Sequence, residues 1–393
     1  MPPLRPTRRV LLAGGLGAVV AGAVVSPAVA SPTAGSLPLH LAGPTGPAPV
    51  AAVELHLIDP SRSDPWSEPG QPRELMVTVT YPAAEVHGRT MLPWLPTGAE
   101  RALKARYGGA LDGFTLPATH TADSAPARGG HRPVLLYSPG YAADRTFNTL
   151  VVEDLVSWGY TVVTVDHPYD SGEVEFPDGR VVLSRPDGDD DARRRAVAVR
   201  ADDLRFVLDC LAELNRGGNP DAQRRPVPRG LRGSLDLTRT GAFGHSRGGA
   251  AAAAVMDLDP RVRAGADLDG ALFGPVVRRG LDRPFLLMDT AVHDGLNEDA
   301  SWAAFWENLR GWRRCLRLAD AEHLSFTDLV ALAPQLGGAL PLPVGTIPAD
   351  RAVAGVRATV RAFFDTHLRR HPDTSHVLTG ASPRYPEIRY VAG

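Results

Sequence analysis

Cysteine is nearly absent: the 393-residue chain has two, Cys210 and Cys315. So low a count excludes a disulfide framework. Neither lies in a Cys-x-x-Cys or Cys/His cluster of the kind that binds zinc, so no metal site is predicted. Cys210 falls in a helical pattern and Cys315 in a strand pattern, and both are expected as buried, unpaired thiols. Charge of one sign is lacking too: 42 Lys+Arg against 44 Asp+Glu leave a net charge of -2. Nucleic-acid binding normally needs a basic surface, so no such partner is expected. Arg193, Arg194 and Arg195 cluster locally and read as a solvated helix face. The apolar run from Val10 to Val25 falls short of the roughly 20 residues that cross a bilayer. No internal repeat is visible.

What is present is ordinary globular composition, with 44% apolar and 22% charged residues. Residues 1–30 read as a cleaved targeting segment. Arg5, Arg8 and Arg9 precede the apolar run, and Ala28 and Ala30 stand where a signal peptidase would cut before Ser31. "TRRVLL" is similar to a twin-arginine export signal. Ser31, not cysteine, follows the cut, which argues against a lipoprotein. The predicted localisation is therefore secreted. Residues 31–50 are rich in Pro, Gly, Ser and Ala and read as a flexible linker.

Residues 51–393 read as a single domain. Val53–Asp59 and Glu74–Pro82 suggest an antiparallel strand pair. Residues 84–130, with a short helical pattern near Ala99–Tyr107, are a candidate cap insertion. From residue 133, buried strands alternate with amphipathic helices. "PVLLYSP" and "YTVVTVDHP" are apolar enough for strands covered on both faces. Pro177-Asp178-Gly179 reads as a hairpin turn. Long helices are expected at about Asp190–Asn215 and Ala349–Leu368. The alternation predicts an α/β class with a mostly parallel central sheet and helices on both faces.

Gly244-His245-Ser246-Arg247-Gly248 has the form Gly-x-Ser-x-Gly. It follows a strand pattern and opens an alanine-rich helix, as the nucleophile elbow of an α/β-hydrolase fold requires. The elbow strains the serine backbone, and Gly244 and Gly248 spare it bulky neighbours. Ser246 is the candidate nucleophile. A serine hydroxyl needs a base, and His323, after the last strand pattern, is placed to be it. A carboxylate must orient that imidazole. Asp269 ends one strand pattern and Asp294 follows the next, and spacing does not separate them; Asp267 is a third candidate inside an apolar run. An oxyanion needs backbone N–H donors. Those of Arg247 and of Tyr141, in the turn after "PVLLYSP", are the candidates, with the Tyr141 ring expected to line an acyl pocket.

At these residues the chain resembles the platelet-activating-factor acetylhydrolase family, especially its secreted bacterial members. The resemblance runs from about Val53 to Leu368 and rests on "LLYSPGYAADRTF", "GYTVVTVDHPYDSG", "GHSRGG", "ADLDGALFGP" and "HLSFTD". It implies Ser246, Asp269 and His323 as the catalytic triad, and Tyr141 and Arg247 as oxyanion donors. It also implies cleavage of short or oxidised acyl chains from lipid esters, with no cofactor or metal. The partner would be a small-molecule or lipid ester, met at most through transient contact with a lipid surface. Ser138-Pro139-Gly140 departs from the animal enzymes, which carry histidine before the glycine, and is similar to bacterial cutinases. The alternatives are therefore a cutinase-like polyesterase with Asp294 as the acid, or a non-catalytic binding protein on the same fold.

Overall fold

The computed structural model describes residues 35–290 and 292–393; the expected targeting segment at 1–30 lies outside them. The chain opens with a long antiparallel pair, β1 (Val50–Ser63) and β2 (Pro72–Pro82), in which Leu57 faces Leu75. β3 (Met91–Pro93), α1 (Thr97–Arg106) and β4 (Ala118–Asp123) follow. Then come β5 (Arg132–Ser138), α2 (Thr149–Ser157), β6 (Thr161–Asp166) and α3 (Asp190–Asn215). β7 (Leu235–His245), α4 (Arg247–Leu258), β8 (Val262–Leu268) and β9 (Phe285–Thr290) come next. α5 (Ala300–Asn308), β10 (Arg313–Leu318), α6 (Ala349–Leu368) and β11 (Ile388–Ala392) complete the set.

These strands form one 11-stranded sheet, ordered β11-β10-β9-β8-β7-β5-β6-β2-β1-β4-β3. The run from β10 to β6 is parallel throughout. β5, β6 and β9 are buried on both faces, which explains their largely apolar sequence. Alternate residues of β5 serve opposite layers. Val134 and Leu136 pack with α3, α4 and α5; Leu135 and Tyr137 pack with α2 and α6. Phe243 on β7 packs between Tyr137, whose ring is tilted against it, and Phe364, met edge to face, with ring centroids 5.0 and 5.9 Å away. Full burial of such a ring is worth roughly 1.5–3 kcal/mol.

The sheet changes direction of growth between β5 and β7, which pair directly although α2, β6 and α3 intervene in sequence. Ligand crevices in open α/β sheets form outside the carboxyl ends of the strands at such a switch. Cys210 on α3 and Cys315 on β10 are buried and unpaired, as expected.

Two stretches differ from the sequence reading. The presumed flexible linker is ordered where it is described: Leu37–Pro38 pairs with Phe114–Thr115, and Leu39 and Leu41 are buried in a leucine-rich cluster. The buried Arg357 binds the carbonyls of Ala42 and Gly43 at 3.1 and 3.0 Å. Two leucines and a captured backbone outweigh the Pro/Gly-rich composition. Within 84–130, β3 and β4 extend the sheet edge beyond β1, so only α1 and its turns stand apart. α1 reaches the loop after β5 through Arg106, which donates to the Ala142 carbonyl at 3.2 Å.

Candidate active site

β7 ends at His245, and the chain turns at Ser246 into α4. Ser246 has φ 55° and ψ -125°, a conformation that costs ~1–3 kcal/mol and persists only where the surroundings enforce it. They do so by contact. A Cβ on Gly244 would strike the Gly248 backbone, and one on Gly248 would strike the Ser138 carbonyl. The Ser246 N–H donates to the Leu268 carbonyl at 2.9 Å, tying the turn to the end of β8. The Gly249 N–H closes back on the Ser246 carbonyl at 2.9 Å, and the Arg247 N–H before it, at the first position of α4, has no helical partner and sits at the positive end of the helix dipole.

Asp269 follows β8 directly, also at positive φ (61°), and its N–H is fixed by the Met288 carbonyl at 2.8 Å. His323 follows β10, opening a 3-10 turn (His323–Phe326) whose start is fixed by reciprocal Glu322–Ser325 capping. The structure brings these two residues together: His323 Nδ1 lies 2.6 Å from Asp269 Oδ2. His323 also lies against the elbow. Its carbonyl accepts from His245 Nε2 at 2.9 Å, and the two rings are 4.5 Å apart. Burial and the neighbouring His323 push His245 down to about 3, so it stays neutral. Serine turn, imidazole and carboxylate thus meet at the carboxyl edge of β7, β8 and β10.

Asp294 is elsewhere. It is partly exposed and binds Asn297 at 2.8 Å and Arg317 at 3.2 Å, not His323. Asp267 is buried beneath the start of α4, where a Cβ on Gly249 or Gly270 would collide with its carboxylate. Burial and the nearby Asp269 raise its pKa well above the usual range.

One residue escaped the sequence reading. His293, from the loop after β9, places Nδ1 3.2 Å from Asp269 Oδ1, so two imidazoles share the carboxylate. Burial opposes the Asp269 charge, but hydrogen bonds from His293 and His323 hold its carboxyl well below the ordinary value. The usable signal was position: in a parallel sheet, loops after neighbouring strands converge on one rim.

Tyr141 and Arg247 meet as well. A Cβ on Gly140 would lie 3.5 Å from the Ser246 Cβ, so the Gly140–Tyr141 turn flanks the nucleophile. The Tyr141 ring, expected to line an acyl pocket, carries a cation on one face. The Arg247 guanidinium stands over it at 4.5 Å, and its hydroxyl donates to the Arg185 carbonyl at 2.6 Å. Arg247 is held in turn by Asp170 and by Asp187, the latter at 2.5 Å. Among the described residues no cluster of three or more His, Cys, Asp or Glu side chains could hold a metal ion.

A strained serine at a strand-to-helix turn of a parallel sheet, beside a hydrogen-bonded histidine and aspartate, defines a serine ester hydrolase of the α/β-hydrolase fold. The chain belongs to the family described as platelet-activating factor acetylhydrolase, isoform II, whose model matches residues 75–377. It is 30% identical to a "Probable 1-alkyl-2-acetylglycerophosphocholine esterase" of Arthroderma benhamiae, over 89% of this chain and 93% of that protein. It is 22% identical to the platelet-activating factor acetylhydrolase of Cavia porcellus, covering 62% of this chain and 60% of that one. Among solved structures, a ferulic acid esterase from Streptomyces cinnamoneus is 34% identical with a TM-score of 0.77, covering 90% of this chain and 99% of that one.

Proposed function

We propose that the chain hydrolyses esters with short acyl groups through an acyl-enzyme on Ser246. The observation that carries the reading is the 2.6 Å contact between His323 and Asp269, with His323 seated against the residue preceding Ser246. A carboxylate only accepts, so Nδ1 carries the His323 proton and Nε2 is free to act as base.

His323 takes the Ser246 proton as the oxygen attacks the ester carbonyl. Asp269 holds the tautomer and stabilises the imidazolium. The N–H groups of Tyr141 and Arg247 receive the oxyanion; losing one such donor costs about 3 kcal/mol of barrier. His323 then protonates the leaving alcohol. Water, deprotonated by the same imidazole, attacks the acyl-enzyme and releases the acid.

The name of the Arthroderma relative supports an acetyl ester of a glycerophospholipid as substrate. The Streptomyces structure supports a second reading, an aromatic acyl group such as feruloyl. Initial rates on acetyl, butyryl, palmitoyl and feruloyl esters test both. The first reading expects acetyl and butyryl esters to turn over much faster than palmitoyl. A preference for palmitoyl would overturn it, and a feruloyl preference would favour the second.

Export belongs to the same proposal. Arg5, Arg8 and Arg9, the Val10–Val25 run and Ala28-x-Ala30 support removal of residues 1–30. Among the described residues no helix is long and apolar enough to cross a membrane. N-terminal sequencing of protein from culture medium should begin at Ser31.

A further inference from the structure

The mechanism above leaves two segments unused: Ser138-Pro139-Gly140, where β5 ends, and His167 after β6. In the fold they form a second Ser-His-Asp chain. Ser138 Oγ lies 3.0 Å from His167 Nε2, and His167 Nδ1 lies 2.9 Å from Asp203 Oδ2 on α3. All three residues are 0% exposed, so no substrate reaches them. Burial lowers the His167 pKa to about 4, leaving a neutral ring with one N–H.

Donor counting then fixes the direction of the chain. Asp203, its charge held by Arg73 at 2.8 Å, only accepts, so His167 Nδ1–H donates to it. His167 Nε2 must accept, and the donor is the Ser138 hydroxyl. Ser138 Oγ in turn accepts from Arg200 Nη1 at 3.1 Å. The chain therefore ends on a guanidinium, which is itself 0% exposed.

Arg200 does three further things. Its Nη1 donates to the Pro139 carbonyl, its Nη2 donates to the Gly140 carbonyl at 3.1 Å, and its Nε donates to Asp170 at 2.5 Å. A planar trans peptide points its C=O and its N–H in opposite directions, and no cis peptide occurs among the described residues. With the Gly140 carbonyl turned to Arg200, the Tyr141 N–H points the other way. Asp170 also binds the Arg247 side chain, so one carboxylate joins Arg200 to the residue whose N–H is the other oxyanion donor.

We propose that Arg200, seated by the Asp203–His167–Ser138 chain, is a positioning residue that turns the Gly140–Tyr141 peptide so that its N–H faces the oxyanion. The inference rests on the assignment of Ser246 and Tyr141 under the proposed function. It does not make Arg200 a catalytic residue, since the guanidinium touches carbonyls and not substrate. Arginine suits the task because its fork spans two successive carbonyls, which a lysine ammonium serves one at a time.

The test uses the full-length chain with Arg200→Met, Arg200→Lys, Ser138→Ala and Ser246→Ala. The readouts are kcat and KM on 4-nitrophenyl acetate and inhibition by a trifluoromethyl ketone, which adds to the serine as a tetrahedral oxyanion. Arg200→Met should lower kcat on the order of 10²–10³-fold, as loss of one oxyanion donor does. KM should change little, and the ketone should weaken by a similar factor. Arg200→Lys should recover part of both losses. A folded Arg200→Met with wild-type kcat overturns the proposal, as does a fall in kcat with undiminished ketone affinity. Should Arg200→Met not fold, Ser138→Ala decides. It keeps the guanidinium but cuts its link to His167, and should lower kcat and ketone affinity in parallel; wild-type values for both overturn the proposal. If Ser246→Ala retains turnover, the underlying site assignment fails. If it is inactive while Arg200→Met matches wild type, only the present inference fails.

Discussion

Asp269 holds an imidazole on each carboxylate oxygen: His323 Nδ1 at 2.6 Å on Oδ2 and His293 Nδ1 at 3.2 Å on Oδ1. The two contacts make different predictions. The His323 contact controls the tautomer of the proposed base. Asp269→Asn should present an amide that favours the wrong tautomer, with a loss in kcat on the order of 10⁴-fold. Asp294→Asn removes a partly exposed pair with Arg317 worth ~0–1 kcal/mol, and should leave kcat within about threefold of wild type. Steady-state kinetics of the two variants check the pair; a crippled Asp294→Asn beside an active Asp269→Asn would reverse the assignment.

The His293 contact should show in stability against pH. The hydrogen bond to Asp269 raises the His293 pKa; burial opposes this, and the charges of Asp269, Asp299 and Asp289 add to it. A folded pKa above the unfolded value of about 6.5 means that the native state binds the proton more tightly. The resulting stability is fully present below the unfolded pKa and is lost as pH rises through the folded one. The Tm gap between wild type and His293→Gln should therefore be widest at about pH 5.5 and narrow toward about pH 9. A gap that widens with pH would contradict this.

The elbow glycines should not tolerate even a methyl group. A Cβ at Gly248 meets the Ser138 carbonyl, which is backbone and cannot rotate aside. Gly248→Ala should lose most activity and a few kcal/mol of stability, the size expected of overpacking. Thermal unfolding and kcat measured together check it.

Asp328, in the "HLSFTD" stretch, should matter for stability although it lies apart from the chemistry. Asn148 caps α2 with no side-chain bond. Instead Asp328 accepts from the Thr149 and Leu150 N–H groups and from Trp94 Nε1, each at 2.9 Å. It thus ties the loop that carries His323 to the helix that follows the Tyr141 turn. Asp328→Ala leaves buried donors unpaired at ~1–3 kcal/mol apiece. The urea midpoint should fall with an unchanged m-value.

Local pattern made much of this architecture legible. α3 and α6 span Asp190–Asn215 and Ala349–Leu368 as read, because helical spacing and, for α3, the Asp189 cap coincide there. The hairpin around Pro177-Asp178-Gly179 forms between Glu173–Glu175 and Val181–Leu183 as its turn chemistry suggested. Proximity across the sheet was not legible. Spacing left Asp269 and Asp294 level, and their separation needed the directions in which the β8 and β9 ends point. His293 was invisible for the same reason. Arg200 lies more than one whole βα unit from Ser138 in sequence, and no periodicity says that α3 packs its arginine beneath the β5 turn. Leu39 and Leu41 were hidden by their proline- and glycine-rich neighbours.

The most direct measurement is covalent labelling of the folded protein with a fluorophosphonate, followed by peptide mass spectrometry. The account predicts one phosphonylated residue, Ser246, with labelling abolished in Ser246→Ala and strongly slowed in His323→Gln. Stoichiometric labelling at another side chain, or none in an enzyme that still turns over acetyl esters, would contradict it.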